Sequence, residues 1–234
     1  MSKTLVIFDI DGTLLYSNKV DSQCFADTYE ELYSEPFPTI DWTKYPHVTD
    51  DTIFGTVIKD RFGRAVDADE MQVFKDAFVS KIQYKRLRNP ELFEEVPGAV
   101  NIIEYLQNEE EILLGIGTGG WRQPAMVKLK HLGFNTENMF MSFADGHYSR
   151  ESMVNASIDM AKAQHANIER VVYVGDASWD VKTTRNLALP FIGIRKEGDL
   201  DALQKVGADY VLKDYLEHQK FKDYIREAKP PRAV

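Results

Sequence analysis

The sequence has little cysteine, no excess of positive charge and no long hydrophobic run. Its 234 residues contain one cysteine, Cys24, so no disulfide can form within the chain. The 28 Lys and Arg against 37 Asp and Glu give a net charge of -9, which disfavours binding to nucleic acid or to an anionic membrane. The apolar run Leu5–Phe8 is far shorter than a signal-peptide core or a membrane span. These absences predict a soluble, cytoplasmic protein with no nucleic-acid or membrane partner.

The chain instead alternates short apolar runs with helical patterns. The runs read as buried strands: Leu5–Phe8, Ile112–Ile116, Met139–Phe143, Val171–Val174, Phe191–Ile194 and Tyr210–Leu212. The helical patterns cover Ala99–Gln107, Trp121–Leu132, Glu151–His165, Ser178–Leu187, Leu200–Val206 and Tyr215–Arg226. Such alternation predicts an α/β fold with a doubly wound, mainly parallel, Rossmann-like sheet, where ligands bind at the carboxyl ends of the strands.

Residues 16–95 interrupt this alternation, because they hold three helical stripes and no convincing strand. The stripes are Phe25, Tyr29 and Leu32; Ile53, Val57 and Ile58; and Met71, Phe74, Phe78 and Ile82. We therefore predict a core domain made of residues 1–15 and 96–234, with residues 16–95 inserted as a helical cap domain. Hinges are expected near Leu14–Ser17 and Pro97-Gly98.

Two acidic residues emerge where the first predicted strand ends. Asp9 follows Phe8 directly, and Asp11 lies two residues later, before Gly12. Period-two geometry points both side chains the same way, and their mutual repulsion raises a pKa unless a cation lies nearby. A pair of turn-forming aspartates explains either residue alone.

A second acidic pair, Asp176 and Asp180, follows the strand Val171–Val174. Asp180 alone is also explained as a first-turn Asp favoured by the helix dipole. Four carboxylates at one sheet edge need a hard divalent ion, and Mg²⁺ accepts carboxylates, waters and substrate phosphate oxygens. The sequence therefore predicts a magnesium site.

The strand Ile112–Ile116 leads into a loop suited to binding phosphate. In Gly117-Thr118-Gly119-Gly120, the hydroxyl of Thr118 and the nearby backbone N–H groups can hold phosphate oxygens at a helix start. Gly115, Gly117 and Gly120 also match G-x-G-x-x-G, which favours a dinucleotide site. A lone match is weak, however, and this strand is not the first of the sheet.

Arg150 precedes the helix that leads toward the Asp176 strand. A guanidinium there could hold phosphate beside Asp9, because its planar group donates two parallel hydrogen bonds to one oxyanion. The alternative is an ordinary solvated arginine.

These segments resemble the four ordered motifs of the haloacid dehalogenase superfamily. The motifs are Asp9-x-Asp11-Gly12-Thr13, Thr118, the basic residue at 150 and Gly175-Asp176-x-x-x-Asp180. The resemblance covers the whole chain, including a helical cap after the first motif. Many members carry Lys-Pro at the third motif where this chain has Arg150-Glu151, and Lys162 is a poorer candidate for that cation.

The resemblance implies a Mg²⁺-dependent phosphatase acting on a small phosphorylated metabolite. Asp9 would be the nucleophile and a metal ligand, and Asp11 the general acid and base with its carbonyl on the metal. The phosphate would be bound by Gly12, Thr118, Gly119 and Arg150, and the metal by Asp9, Asp11 and Asp176 with Asp180 in support.

Two alternatives stay open: a phosphosugar mutase resembling β-phosphoglucomutase, and a metal-dependent binding module without turnover. Such mutases carry Asp-Ser/Thr-x-x-x-His after the first motif, whereas Tyr16–Asp21 lacks the leading Asp and the His. We therefore expect no cap contact to restrain Asp11. The sequence does not identify the substrate, and a monomer is compatible with it. Candidate specificity residues are His47, Thr49, Asp50, Arg86, Arg88 and Trp121, each equally explained as surface or helix cap.

Overall fold

The computed structural model describes residues 2–196 and 198–234, which contain eight strands and nine α-helices. The strands are β1 Lys3–Phe8, β2 Leu15–Tyr16, β3 Glu94–Glu95, β4 Ile112–Gly117, β5 Phe140–Ser142, β6 Ile168–Gly175, β7 Phe191–Ile194 and β8 Val211–Leu212. The helices are α1 Asn18–Tyr33, α2 Asp50–Phe62, α3 Ala68–Arg88, α4 Ala99–Gln107, α5 Arg122–Leu132, α6 Arg150–Gln164, α7 Ser178–Asn186, α8 Asp201–Lys205 and α9 His218–Glu227.

Six strands form one parallel sheet in the order β5-β4-β1-β6-β7-β8. Alternate residues of β1 enter different hydrophobic clusters, with Val6 and Phe8 on one face and Leu5 and Ile7 on the other. Helices therefore cover both faces, which explains why these strands read as continuous apolar runs. The predicted α/β fold with a mainly parallel sheet is confirmed.

The stretch between β1 and α4 is helical, as predicted, but it is bounded by a short ribbon that the sequence did not predict. Strands β2 and β3 pair antiparallel, with Leu15 opposite Glu95 and Tyr16 opposite Glu94. Two-residue strands are too short to leave a period-two pattern, so sequence periodicity misses them. The prediction that no strand occurs between residues 16 and 95 is therefore wrong at both ends.

The three predicted stripes lie on α1, α2 and α3. Their residues are buried except for Met71, which is partly exposed, and Leu32, which is 40% exposed. Helix α2 begins after Thr49, whose hydroxyl accepts a hydrogen bond from the N–H of Thr52. We call residues 18–88, which contain these helices, the helical insertion.

The helical insertion shares its hydrophobic core with the part of the chain that contains the six-stranded sheet, which we call the sheet region. Trp121, at the start of α5, is fully buried against an aromatic group from the insertion. Its ring stacks on Phe25 at a centroid distance of 5.7 Å and contacts Phe54, Phe74 and Phe78. Burying a tryptophan this completely stabilises the contact between the two regions by about 1.5–3 kcal/mol or more.

No helix within residues 2–196 and 198–234 is both long and apolar enough to cross a bilayer.

Candidate active site

The carboxyl ends of β1 and β6 bring three acidic side chains together. Asp9 directly follows β1, Asp176 directly follows β6, and Asp180 lies in the first turn of α7. The N–H of Asp9 donates to the carbonyl of Val174 at 2.9 Å, which holds the two strand ends side by side. Ligand oxygens of the three acids all lie within 4.8 Å of one another, and all three residues are buried.

Arg150 is the cation of this cluster, and it is only 4% exposed. Its guanidinium forms ion pairs with Asp180 and, at 3.4 Å, with Asp9. It also lies 3.0 Å from the Tyr173 hydroxyl and donates to the carbonyl of Val48 at 3.2 Å. Burial alone would lower the pKa of Arg150, but the nearby carboxylates outweigh it and raise the pKa. Arg150, Asp9, Tyr173 and Asp180 form what we call the Arg150 cluster.

The acidic group fits a hard divalent cation. Its donors are all carboxylate oxygens, which Mg²⁺ prefers. Burial, reinforced by the charge of Asp180, raises the pKa of Asp9 to about 7 despite Arg150. Burial and the charges of Asp180 and Asp9 raise the pKa of Asp176 well above its usual range. A bound divalent ion would relieve both effects, because it favours the ionised carboxylates.

Asp180 differs from the other two acids because protein groups already occupy its oxygens. One oxygen accepts from Arg150, and the other accepts the N–H groups of Asp176 at 3.2 Å and Ala177 at 3.0 Å. Asp180 thus orients the loop that carries Asp176, which is the geometry of a supporting residue.

Gly12 is needed for the position of Asp176. Its φ is +78°, and a Cβ atom there would lie 2.0 Å from Asp176 Oδ2 and 2.8 Å from Asn18 Nδ2. Any other residue would displace the Asp176 carboxylate, so the glycine is required by both backbone conformation and space.

The loop after β4 closes the site on its other side. Thr118 is 2% exposed, and its hydroxyl accepts from the N–H of Gly120 at 3.3 Å. A Cβ atom on Gly119 would lie 2.5 Å from Arg150 Nη1 and 2.4 Å from the Val48 carbonyl. The loop therefore packs directly against Arg150 and the helical insertion.

A cleft of about 560 Å³ joins these groups. Its walls include Asp9, Asp11, Asp176, Thr118, Gly119 and Arg150 from the sheet region and Lys19, Asp21, Trp42 and Asp50 from the insertion. Lys162 lies exposed on α6 and does not line it. Of the six candidate specificity residues, the lining includes Asp50 alone. Thr49 is a buried helix cap and Trp121 is core, whereas Arg88 is exposed at the end of α3. His47 and Arg86 line other cavities.

A second buried cation, Lys128, lies beside Asp11 and was missed by the sequence analysis. Its ammonium is 2.7 Å from Asp11 Oδ2 and also binds Asp21 of α1. Asp11 further accepts a hydrogen bond from the Ser17 hydroxyl. We call Lys128, Asp11, Ser17 and Asp21 the Lys128 cluster.

The sequence does contain a signal for Lys128. Trp121, Ala125, Lys128 and Leu129 have the spacing of one helical face, and the other three are apolar. A lysine within an apolar helix face indicates a buried charge with a buried partner.

The dinucleotide alternative finds no support in the glycine contacts. A Cβ atom on Gly115 would lie 2.9 Å from the Phe140 carbonyl and Ser157 Oγ, and one on Gly117 would lie 2.9 Å from Ile7 Cγ2. These glycines allow close packing within the sheet region.

The chain belongs to the haloacid dehalogenase-like hydrolase family, whose model matches residues 6–194. The predicted family and the predicted hydrolase class are therefore confirmed. A search of curated protein sequences gave no match.

Solved structures agree with this fold over nearly the whole chain. A hydrolase from Pseudomonas syringae has a TM-score of 0.70 and 19% identity, covering 98% of this chain and 100% of its own. A candidate beta-phosphoglucomutase from Bacteroides vulgatus gives 0.65 and 14%, with coverages of 97% and 90%. A family hydrolase from Deinococcus radiodurans R1, with bound phosphate and sodium, gives 0.55 and 16%, with coverages of 98%. At these identities the likeness shows the fold.

Proposed function

We propose that this protein is a Mg²⁺-dependent phosphatase that hydrolyses a small phosphorylated metabolite through an aspartyl-phosphate on Asp9. The observation that carries the proposal is the convergence of Asp9, Asp176 and Arg150 in one cleft that Asp11 also lines. The bound phosphate of the Deinococcus radiodurans structure is compatible with a phosphate ester in this cleft.

The metal would be held by the carboxylates of Asp9 and Asp176 and by the backbone carbonyl of Asp11, with Asp180 orienting Asp176. When bound, Mg²⁺ would offset the negative charge of these acids and of the phosphate, which otherwise repel each other.

In the first half-reaction, a carboxylate oxygen of Asp9 attacks phosphorus and the bond to the substrate oxygen breaks. Asp11 gives its proton to the departing alcohol oxygen, so the alcohol leaves neutral. Thr118, Arg150 and the backbone N–H group of Gly119 hold the transferring phosphoryl oxygens. The N–H of Gly12, which the sequence analysis also assigned to phosphate, already donates to the Leu15 carbonyl at 2.8 Å, so we assign it no phosphate contact. Arg150 suits this role, because it already lies against both Asp9 and Gly119.

In the second half-reaction, water attacks the phosphorus of the aspartyl-phosphate. Asp11, now ionised, takes a proton from that water, and the bond to Asp9 breaks to release inorganic phosphate. Both carboxyl groups return to their starting states, so the cycle needs no other reactant.

We further propose that residues 16–95 act as a cap domain over a core of residues 1–15 and 96–234. Opening would require the hydrogen bonds between Asp50 and the Gly119–Trp121 loop to break, including Trp121 N–H to Asp50 Oδ2 at 2.9 Å. A cap held this way excludes bulk water from the first half-reaction. The cytoplasmic location, the absence of a nucleic-acid or membrane partner and a monomeric state stay predictions.

A phosphosugar mutase is the second candidate, and one observation favours it. We expected Asp11 to lack polar restraint, but it accepts hydrogen bonds from Ser17 and Lys128. A restrained acid could delay hydrolysis of the aspartyl-phosphate. We still favour hydrolysis, because the motif with Asp and His that such mutases carry is absent from Tyr16–Asp21.

A screen of phosphorylated metabolites, with Mg²⁺ or with chelator, tests the proposal. We expect phosphate release that chelator abolishes reversibly and that Asp9→Asn lacks. In ¹⁸O-labelled water, one labelled atom should enter each phosphate released. An isomerised sugar phosphate with little free phosphate would favour the mutase. Metal-dependent substrate binding without turnover would favour the binding module.

A further inference from the structure

Lys128 is a buried ammonium that the proposed reaction scheme does not use. Its side chain is 2% exposed, and burying an isolated ammonium costs several kcal/mol. Burial alone would lower the pKa of Lys128, but the charges of Asp11 and Asp21 outweigh it and raise the pKa. The lysine therefore stays charged because it lies between two acids.

The contacts of Lys128 fix the orientation of Asp11. The Ser17 hydroxyl donates to Asp11 Oδ1, and Lys128 donates to Oδ2 at 2.7 Å. Because each carboxylate oxygen accepts a hydrogen bond from its own donor, the Asp11 side chain is held in one conformation. Asp11 faces the same cleft as Asp9, so this orientation is maintained at the reacting end of the cleft.

The third partner, Asp21, belongs to the helical insertion. It lies one turn along α1 from Ser17, and its N–H donates to the Ser17 carbonyl at 2.9 Å. The start of α1 thus meets Asp11 in two ways: directly through its N-cap residue Ser17, and indirectly through Asp21 and Lys128. Helix α5 and the start of the insertion together position one carboxylate.

We infer that Lys128 is a positioning residue for Asp11, which it holds in the orientation needed to protonate the leaving oxygen. The hydrogen bonds from Ser17 and Lys128 each use one lone pair of a carboxyl oxygen, so a second lone pair stays available for the proton that Asp11 transfers. This inference rests on the proposed phosphatase function. Lys128 itself need not touch the substrate, since it acts through Asp11. A lysine that served only as a structural brace would slow all substrates alike, whereas a positioning lysine matters most when the leaving group needs a proton.

The test compares 4-nitrophenyl phosphate, a good leaving group, with phenyl phosphate, a poor one, in wild type and variants. Lys128→Met should lower kcat/KM for phenyl phosphate by roughly 10²-fold or more and that for 4-nitrophenyl phosphate by less than about 10-fold. Asp11→Asn should show the same selectivity more strongly. Lys130→Met is the matched control, because Lys130 is an exposed lysine of the same helix, and it should match wild type for both esters.

Lys128→Met could unfold the protein, since it leaves Asp11 facing Asp21 without a cation. The double variant Lys128→Met/Asp21→Asn removes that repulsion and should show the same selective loss for phenyl phosphate. Equal losses for both esters in the folded double variant, or no loss at all, would overturn the positioning role while leaving the phosphatase intact. Failure of the wild type to hydrolyse either ester or any metabolite would refute the proposed function, and the inference with it.

Discussion

The Arg150 cluster and the Lys128 cluster each place acids around one buried cation, yet they are built differently. All four members of the Arg150 cluster come from the sheet region, at the ends of β1 and β6 and the starts of α6 and α7. The Lys128 cluster instead joins that region to α1 of the helical insertion. The insertion adds to the first arrangement one contact, from Arg150 to the Val48 carbonyl at 3.2 Å, whereas it supplies a charged member, Asp21, to the second.

Because of this difference, the two clusters have different roles in the proposed reaction. The Arg150 cluster surrounds the nucleophile and the phosphoryl group, which every substrate shares. The Lys128 cluster surrounds the acid and base, whose importance varies with the leaving group. Variants in the first should therefore slow all substrates, and variants in the second should act selectively.

The largest expected effect is in the Arg150 cluster, at the nucleophile. Asp9→Asn should lower kcat by about 10⁴-fold or more for every phosphate ester, because the covalent intermediate cannot form. Steady-state rates with 4-nitrophenyl and phenyl phosphate measure this. Activity near wild type with either ester would contradict the assignment of Asp9.

The same variant should be more stable than the wild type in chelator. The pKa of Asp9 is raised from 3.8 to about 7, so its ionised form disfavours the folded state. The wild type should lose more stability than the asparagine variant as the pH rises from about 4 to 7, because the variant lacks the Asp9 carboxyl but keeps that of Asp176. The difference in Tm should thus be larger at pH 8 than at pH 5, and the reverse order would contradict this account.

The next largest effect should follow loss of the Arg150 guanidinium. Arg150→Ala leaves Asp180 and Asp9 buried without their cation, which should cost roughly 3–5 kcal/mol in the free energy of unfolding. It should also lower kcat/KM by about 10²–10³-fold for both esters alike. Lys162→Ala, at an exposed lysine of the same helix, is the control and should change stability by at most about 0.5 kcal/mol. A larger loss of activity in the control would mean that Lys162 is the phosphate-binding cation.

A smaller and more specific effect should come from Gly12→Ala. The new methyl group would overlap the Asp176 carboxylate, so the Mg²⁺ concentration needed for half-maximal activity should rise by about 10–100-fold. Gly63→Ala is the matched control, because Gly63 has a similar φ of +68° with nothing within 4 Å of the added Cβ. Both variants should lose about 1 kcal/mol from backbone strain, and Gly12→Ala should lose more because of the overlap, but only Gly12→Ala should need more Mg²⁺. Equal Mg²⁺ requirements would contradict the placement of Asp176 on the metal.

The smallest effect should come from an ion pair on the surface of the insertion, between Arg64 and Glu70. The hydrogen bond from Arg64 lowers the pKa of Glu70 to about 2, so the pair stabilises the fold above pH 4.5 and loses its effect as the pH falls toward 2. Arg64 is 48% exposed, so Arg64→Ala should cost at most about 1 kcal/mol at pH 7 and almost nothing at pH 2. Chemical denaturation at the two pH values measures it. A cost that persists at pH 2 would show that the arginine acts through packing instead.

The prediction that Asp9, Asp176 and Asp180 form one acidic group followed from strand ends. Asp9 and Asp176 each follow a buried apolar run, and neighbouring parallel strands end at the same edge of a sheet. The order of those strands was not needed to expect that the acids meet. Arg150 was harder to predict, because its side chain reaches the site from the start of a helix and an ordinary solvated arginine was the alternative explanation.

The residues of the helical insertion that line the cleft could not be predicted from the sequence in the same way. Asp21 and Trp42 reach the cleft, whereas His47 and Arg86 line other cavities. The helical pattern shows which face of each helix is apolar, but it does not show which neighbour that face meets. The short ribbon of β2 and β3 was missed for a related reason, since two residues carry no period.

The sequence by itself determined the family, the parallel sheet and the acids at its edge, because apolar runs and the residues that end them are local patterns. Only the tertiary structure decided that Trp121 joins the core of the insertion and that Lys128 lies between Asp11 and Asp21. Asp11, Asp21 and Lys128 are up to 117 positions apart in the chain, and the local pattern around each does not show which partner it meets. Their meeting depends on the packing of α1 against the sheet region, because a buried charge is retained only where folding brings its partners within hydrogen-bond distance.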